Sequence, residues 1–334
     1  MVDNYLTDYF QACAAEENTL FQVEMDVTTK CNADCPFCFQ GAHCNIKHND
    51  MTLEEYDRLF FDLRNMGTQF IGFSGGEPFA RKDFIDILEL ARKYAFRVTF
   101  ITNAMLMSDD DIDRLADMSV SHVTVSFHSI DIDAYKKCFG IESDQLYYRA
   151  LDNIKKMVSK GIHLGIAITL TNMNVSSIEK TADYFIALGI KPEEINYNSL
   201  LSGARDIEKY RPDNADIAKR EVLINNQEDI ESGLLCIAGV TSCSISPDGN
   251  VYPCTFFNSP AGNIKKNSIE EIWNESFLFK IIRSFNEKMF TKCQGCSANG
   301  RCQYCMASAL RDTGNPFIPS DSFCNAKKSR MGLC

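Results

Sequence analysis

The sequence predicts an α/β protein, a partial (β/α)6 TIM-like barrel followed by a cysteine-rich C-terminal domain. Three observations carry this. Between about residues 20 and 200, short apolar runs alternate with longer amphipathic stretches, the pattern of repeated β-α units around a parallel sheet. Polar motifs follow those runs, at the carboxyl ends of the strands, where such a barrel presents its loops. Nine of the fifteen cysteines fall after residue 235, in a stretch with little periodicity. A segment short of apolar core and dense in cysteine is usually held by metal.

Strands are predicted at 21–27, 69–73, 97–101, 122–127, 163–169 and 194–198. Six strands fall short of the eight that close a full barrel. The string Thr52-Leu53-Glu54-Glu55 reads as a capping box at a helix start, and Ser108 before Asp109, Asp110 and Asp111 reads as another. Further helices are predicted at 146–159 and 175–188. The barrel domain then spans 1–200, with its core from about 20. A charged bridge containing Pro212 and Gly233 spans 201–235, and the cysteine-rich domain spans 236–334.

Composition narrows the function. The chain has 334 residues, 45% hydrophobic and 24% charged, as expected of a globular protein. No apolar run approaches the ~20 residues a membrane span needs, so no membrane partner and a cytoplasmic location are expected. With 34 basic against 45 acidic residues the net charge is -11, which argues against a nucleic-acid partner. Abundant cysteine without a charged-then-apolar export signal points to metal or redox chemistry rather than disulfides.

Cys31, Cys35 and Cys38 share one loop with the spacing C-x3-C-x2-C. Three thiolates around one point can ligate three irons of a four-iron four-sulfur cube and leave the fourth iron open. Zinc fits this loop poorly, because it usually takes four protein ligands built from repeated C-x2-C pairs. Ser74-Gly75-Gly76-Glu77-Pro78 follows the second strand, Thr102-Asn103-Ala104 the third, and Ser126-Phe127-His128-Ser129 the fourth. Gly75 and Gly76 let backbone approach a ligand closely and Pro78 fixes the turn, with Glu77 orienting the loop. His128 reads as the acceptor or donor of a strand-end hydrogen bond. Farther on, Cys236, Cys243 and Cys254 surround a hairpin string with its turn at Asp248-Gly249. Cys293, Cys296, Cys302, Cys305 and Cys324 follow. Cys293, Cys296, Cys302 and Cys305 taken alone also suit a zinc ribbon. Cys13, Cys44, Cys138 and Cys334 read as ordinary thiols.

The loop of Cys31, Cys35 and Cys38, with Phe37 before its last cysteine and Gly75-Gly76-Glu77-Pro78 one strand later, resembles the radical S-adenosylmethionine (radical SAM) enzymes. The resemblance implies that SAM chelates the open iron. It also implies that Phe37 lies beside the adenine, that Asn103 and Ser126 lie near the methionine or ribose, and that Arg149 reaches the SAM carboxylate. Ala104 stands where that family usually has glycine. The C-terminal pattern is similar to the family's SPASM extension, with the Cys302 to Cys305 gap one residue shorter than usual. This implies two auxiliary clusters, one on Cys236, Cys243, Cys254 and Cys305 and one on Cys293, Cys296, Cys302 and Cys324.

The expected cofactors are therefore SAM and three four-iron four-sulfur clusters, with a flavodoxin- or ferredoxin-type electron donor. By the same resemblance the expected activity is oxidative maturation of a ribosomal peptide by thioether or carbon-carbon crosslinking, under anaerobic conditions. A separate leader-peptide-binding protein would then be a partner. Alternatives are a dehydrogenase or epimerase of a small molecule (sugar, alcohol or tetrapyrrole), and an iron-sulfur electron carrier. Sulfatase maturation is disfavoured because Thr255 stands where those relatives carry an acidic base. No catalytic residue beyond the first cluster is assigned.

Overall fold

The computed structural model describes residues 2–40, 49–200, 207–213, 236–299, 302 and 304–330. Most of the bridge, together with Cys44 and Cys334, lies outside the described residues. Nine strands form one sheet in the order β6-β5-β4-β3-β2-β1-β7-β8-β9. The first six are β1 (Gln22–Asp26), β2 (Phe70–Ser74), β3 (Arg97–Thr102), β4 (His122–Ser126), β5 (Leu164–Thr169) and β6 (Ile195–Asn198), and all pair in parallel. They are the predicted strands, each shifted by no more than a residue or two at its ends, and they make the partial barrel.

Helices cross between these strands because their starts are capped. Helix α2 (Leu53–Asn65) begins at Thr52, whose side chain accepts from Glu55 N at 3.2 Å while Glu55 returns the bond to Thr52 N at 2.8 Å. Helix α4 (Asp109–Met118) has the same box between Ser108 and Asp111, with three acids in its first turn to meet the helix dipole. Helix α6 (Asp144–Ser159) starts two residues earlier than expected. The helix expected at 175–188 is split into a 3-10 turn, Val175–Ser177, and α7 (Ile178–Ala187), because Asn174 is drawn into hydrogen bonds with Thr171. Helices α1 (Val2–Glu17), α3 (Phe84–Lys93) and α5 (Ile132–Phe139) were not anticipated.

Strand alternation decides which side chains the helices cover. In β1, Val23 and Met25 are buried on the helix side, while Gln22, Glu24 and Asp26 take the other face, toward the barrel interior. Gly72 stands opposite Glu24, and a Cβ there would strike the Glu24 carboxylate.

The sheet runs on into the cysteine-rich region. Strand β7 (Ser242–Ile245) pairs in parallel with β1, and β8 (Asn250–Tyr252) and β9 (Gly262–Asn263) follow antiparallel. Helices α8 (Ile269–Glu275) and α9 (Phe277–Arg283) come next, then α10 (Met306–Thr313) and α11 (Asp321–Arg330). Ile245, Val251, Trp273 and Phe279 join the barrel's own apolar core, so this region is less dependent on metal for burial than its composition suggested. A small second core of Phe290, Tyr304, Met306 and Ala309 serves the chain beyond α9.

Trp273 is the only tryptophan in the sequence and fastens the two regions. It is 2% exposed, its indole N–H donates to Asn18 O at 2.7 Å, and the Arg283 guanidinium lies 4.2 Å from its ring centre. Replacing it by alanine is expected to cost about 3–5 kcal/mol, as for large core aromatics. Trp273→Phe, which loses mainly the hydrogen bond, should cost about 1 kcal/mol. Chemical unfolding followed by circular dichroism checks both, and equal costs would contradict this account.

Candidate metal and cofactor site

Strand β1 leads directly into the loop of Cys31, Cys35 and Cys38, and the loop is held from three sides. The first is the turn after β2: Gly76 N donates to Thr28 O and Glu77 N to Lys30 O, both at 2.8 Å. Gly75 has φ +126, and a Cβ on either Gly75 or Gly76 would run into backbone of residues 28–30. The glycines therefore serve the packing of one loop on another. The second side is the end of β3, where Asn103 Nδ2 donates to Asn32 Oδ1 at 2.8 Å. The third is the end of α5, where Asp34 N donates to Phe139 O at 2.9 Å.

Glu77 joins these elements. Its buried carboxylate accepts from Thr102 Oγ1 at 2.6 Å, from Asn103 N at 2.7 Å and from Phe79 N at 3.2 Å. Burial pushes its carboxyl up to about 7, with those three donors pulling it down. Ala104 sits at φ +57, the left-handed conformation that explains why glycine is usual there.

None of the described cysteines is in a disulfide. Burial raises the Cys31 thiol to about 11, opposed by the Ala33 N–H and reinforced by Glu77 and Cys38. Cys35 is raised well above the thiol range, by burial and then by Cys38, Cys31 and Cys138. With Cys31 and Cys35 both held protonated, the set is a poor one on its own. A cationic cluster would reverse that, since metal ligation requires thiolates. The donor set thus fits a cube bound by three cysteines.

The C-terminal thiols fall into two groups. Cys254 is raised to about 11 by burial and then by Cys236 and Cys305, and Cys305 also raises Cys236. Cys293 is raised by burial and then by Cys302, Cys324 and Cys296. This division fits two cubes better than a zinc ribbon of Cys293, Cys296, Cys302 and Cys305. Cys243 joins neither group; it is raised by burial, with Arg283 lowering it and Glu24 raising it. The group of Cys236, Cys254 and Cys305 lies close to the barrel mouth, for Phe39, next to Cys38, stacks on Phe256, two residues from Cys254, at 4.9 Å.

Other expected site residues are placed as follows. Phe37 is buried with Cys138, Leu200 and Ile207, and its ring meets His128 edge-on at 5.4 Å. Pro78 is buried at the start of a 3-10 turn, Pro78–Ala80. Ser126 ends β4 on the interior face with Thr124. Arg149 is not brought against the cysteine loop: it is exposed on α6 and donates to Met107 O at 3.1 Å. His128 accepts from Thr169 N at 3.2 Å, and burial lowers its pKa to about 4.

Two interior carboxylates escaped the sequence reading. Burial raises Asp26 to about 6 and Glu24 to about 7. Asp26 Oδ2 accepts from Gln40 at 3.0 Å, and its Oδ1 is buried without a protein partner. The only signal was alternation in β1, which places both on the face away from the helices.

Comparisons with known proteins give the family and the fold. The family described as the Radical SAM superfamily matches residues 25–185, and SPASM, described as an iron-sulfur cluster-binding domain, matches residues 236–297. The AdoMet-dependent heme synthase of Methanosarcina barkeri is 22% identical, over 90% of this chain and 95% of that relative. The enzyme of the same name from Nitratidesulfovibrio vulgaris is 23% identical, over 93% and 94%. Among solved structures, Streptococcus suis SuiB bound to S-adenosylmethionine superposes with a TM-score of 0.74 at 20% identity, covering 94% of this chain and 80% of that one. Native anSMEcpe with bound AdoMet and Cp18Cys peptide gives 0.72 at 18% identity, covering 93% and 96%. At these identities the structural likeness is one of fold.

Glu77→Gln keeps shape but turns an acceptor into a donor facing N–H and O–H donors. It is expected to cost about 1–3 kcal/mol and to weaken SAM binding, as read by thermal unfolding and equilibrium dialysis. Unchanged stability and binding would show that the carboxylate does not organise the mouth.

Proposed function

The chain belongs to the radical SAM superfamily with a SPASM domain behind its barrel, and from that premise we propose that it oxidatively modifies a peptide, closing a thioether or carbon-carbon crosslink. The observation that carries the radical chemistry is the meeting of the loop of Cys31, Cys35 and Cys38 with the loop of Gly75, Gly76 and Glu77 under one buried carboxylate. Cys31, Cys35 and Cys38 would hold the SAM-binding cluster, and Phe37, Gly75, Gly76, Pro78, Asn103 and Ser126 would frame SAM. Bound there, the cluster would supply an electron to SAM whose sulfur-carbon bond would then break, giving methionine and a 5'-deoxyadenosyl radical able to take a hydrogen atom from substrate.

The substrate radical left behind must lose one electron and one proton to complete the oxidation. Asp26 is the proton acceptor this chain offers: it sits at the mouth end of β1 with one carboxylate oxygen unpartnered. A carboxylate held near 6 is ionised at neutral pH yet basic enough to work. Cys293, Cys296, Cys302 and Cys324 would hold an auxiliary cluster suited to receive the electron, and a flavodoxin or ferredoxin would supply the first one.

SuiB bound to its precursor peptide SuiA shares the architecture over 97% of this chain, and anSMEcpe was solved with a peptide, which supports a peptide substrate. A tetrapyrrole is the second reading, favoured by heme synthases related over nearly the full length of both chains.

The test is reconstituted protein with SAM, a strong reductant and either a peptide encoded beside the gene or a tetrapyrrole. 5'-Deoxyadenosine is expected together with loss of two hydrogens from the peptide by mass spectrometry. Cys31→Ala should abolish both. Asp26→Asn should keep 5'-deoxyadenosine formation within about threefold while lowering peptide product about 100-fold or more. In the parent protein product formation should rise as pH rises through about 6, where Asp26 ionises. Tetrapyrrole consumption in step with 5'-deoxyadenosine, with no peptide product, would replace the peptide reading.

A further inference from the structure

We infer that Cys243 is a residue of the apolar core and not a cluster ligand, so that, among the described residues, the auxiliary cluster beside the barrel mouth hangs on three thiolates, Cys236, Cys254 and Cys305, and keeps one iron open to an added thiolate. This rests on the reading above that the site holds a four-iron cube, and it departs from the four-cysteine set that the spacing of the sequence implied.

The sheet register carries the argument. Cys243 lies opposite Val23 of β1, and Ile245 lies opposite Val251 of β8. Cys243, Val23, Ile245 and Val251 are all 2% exposed or less. Partners in register share a face, and residues two apart on a strand share it too. Cys243 is therefore fixed on the helix-covered face, in the main core. Ser244 and Tyr252, which pair with each other, take the opposite face. Turning the Cys243 thiol to that face would take a one-residue slip of β7, which would put serines into the apolar core in place of Cys243 and Ile245.

The other three cysteines lie elsewhere. Cys254 and Cys305 pack in a separate small cluster with Phe257, Ile282 and Ala307. Cys305 is the N-cap of α10, where its sulfur accepts from Ser308 N at 3.4 Å. A free cysteine in a β-strand core behaves as a small apolar side chain, and Cys243 is placed as one. Among the described residues no fourth thiol joins the three. An iron left without a protein sulfur takes soft anionic donors, thiolate foremost.

The experiment uses holoprotein saturated with SAM, so that the first cluster's open iron is occupied. Cys243→Val and Cys243→Ala are expected to keep about twelve irons, four per cube, and a reduced electron paramagnetic resonance spectrum like the parent's. Cys254→Ala should lose about four irons. In the parent protein, titration with β-mercaptoethanol should shift one of the auxiliary signals. A soluble Cys243→Val that holds only about eight irons would overturn the inference, and so would a parent spectrum indifferent to the thiol. If instead the unsubstituted protein binds zinc or only about four irons, the reading of a cluster at this site fails before Cys243 is tested.

Discussion

The mouth of this barrel is organised by a carboxylate that water does not reach. Glu77 is 1% exposed, yet it carries the hydrogen bonds that join the turn after β2 to the end of β3. A buried carboxylate is costly unless it is fully hydrogen-bonded. Thr102, Asn103 and Phe79 supply three donors, and two of them belong to a different strand-loop unit from Glu77 itself. The satisfied arrangement therefore exists only when the loops are in place. This makes one side chain a switch between an assembled mouth and a disfavoured buried charge.

The cysteine loop inherits that rigidity. Its described residues contain no regular element, and burial holds the Cys31 and Cys35 thiols protonated. Backbone bonds from Gly76 and Glu77, together with Asn103 holding Asn32, keep the loop's path defined. A preformed loop lowers the ordering entropy that cluster binding would otherwise have to offset. The same logic explains the small residues nearby: Gly75 and Gly76 are there because two backbones touch.

Features written locally were legible in the sequence. Six parallel strands, two capping boxes and the hairpin turn at Asp248 and Gly249 each depend on a few adjacent residues, and the structure has them. Contacts made across the sheet were not legible. Strand β7 is only four residues long and its partner β1 lies more than two hundred residues earlier, so no local period announces the pairing. Spacing along the chain says which thiols are close in number, whereas strand parity says which face each one takes. Asp26 and Glu24 were overlooked because a carboxylate in a strand looks solvated until the closing of the barrel is known.

The parallel pairing of β1 with β7 has a geometric consequence for the chemistry. Parallel neighbours end on the same side of a sheet, so the loop after β1 and the turn after β7 must emerge together. The loop after β1 carries Cys31, Cys35 and Cys38; from the turn, the antiparallel β8 takes the chain back along the sheet to Cys254, and Phe256 just beyond it stacks on Phe39. The turn is tied back to the barrel where Met51 N donates to Pro247 O at 2.8 Å. The separation between the two thiol groups is thus set by hydrogen-bonded strands and not by a flexible linker. Electron exchange between redox centres is sensitive to distance, and a substrate bound between them would face both. Continuity of the sheet, which no single motif encodes, is what fixes the cysteine-rich region against the first strand of the barrel.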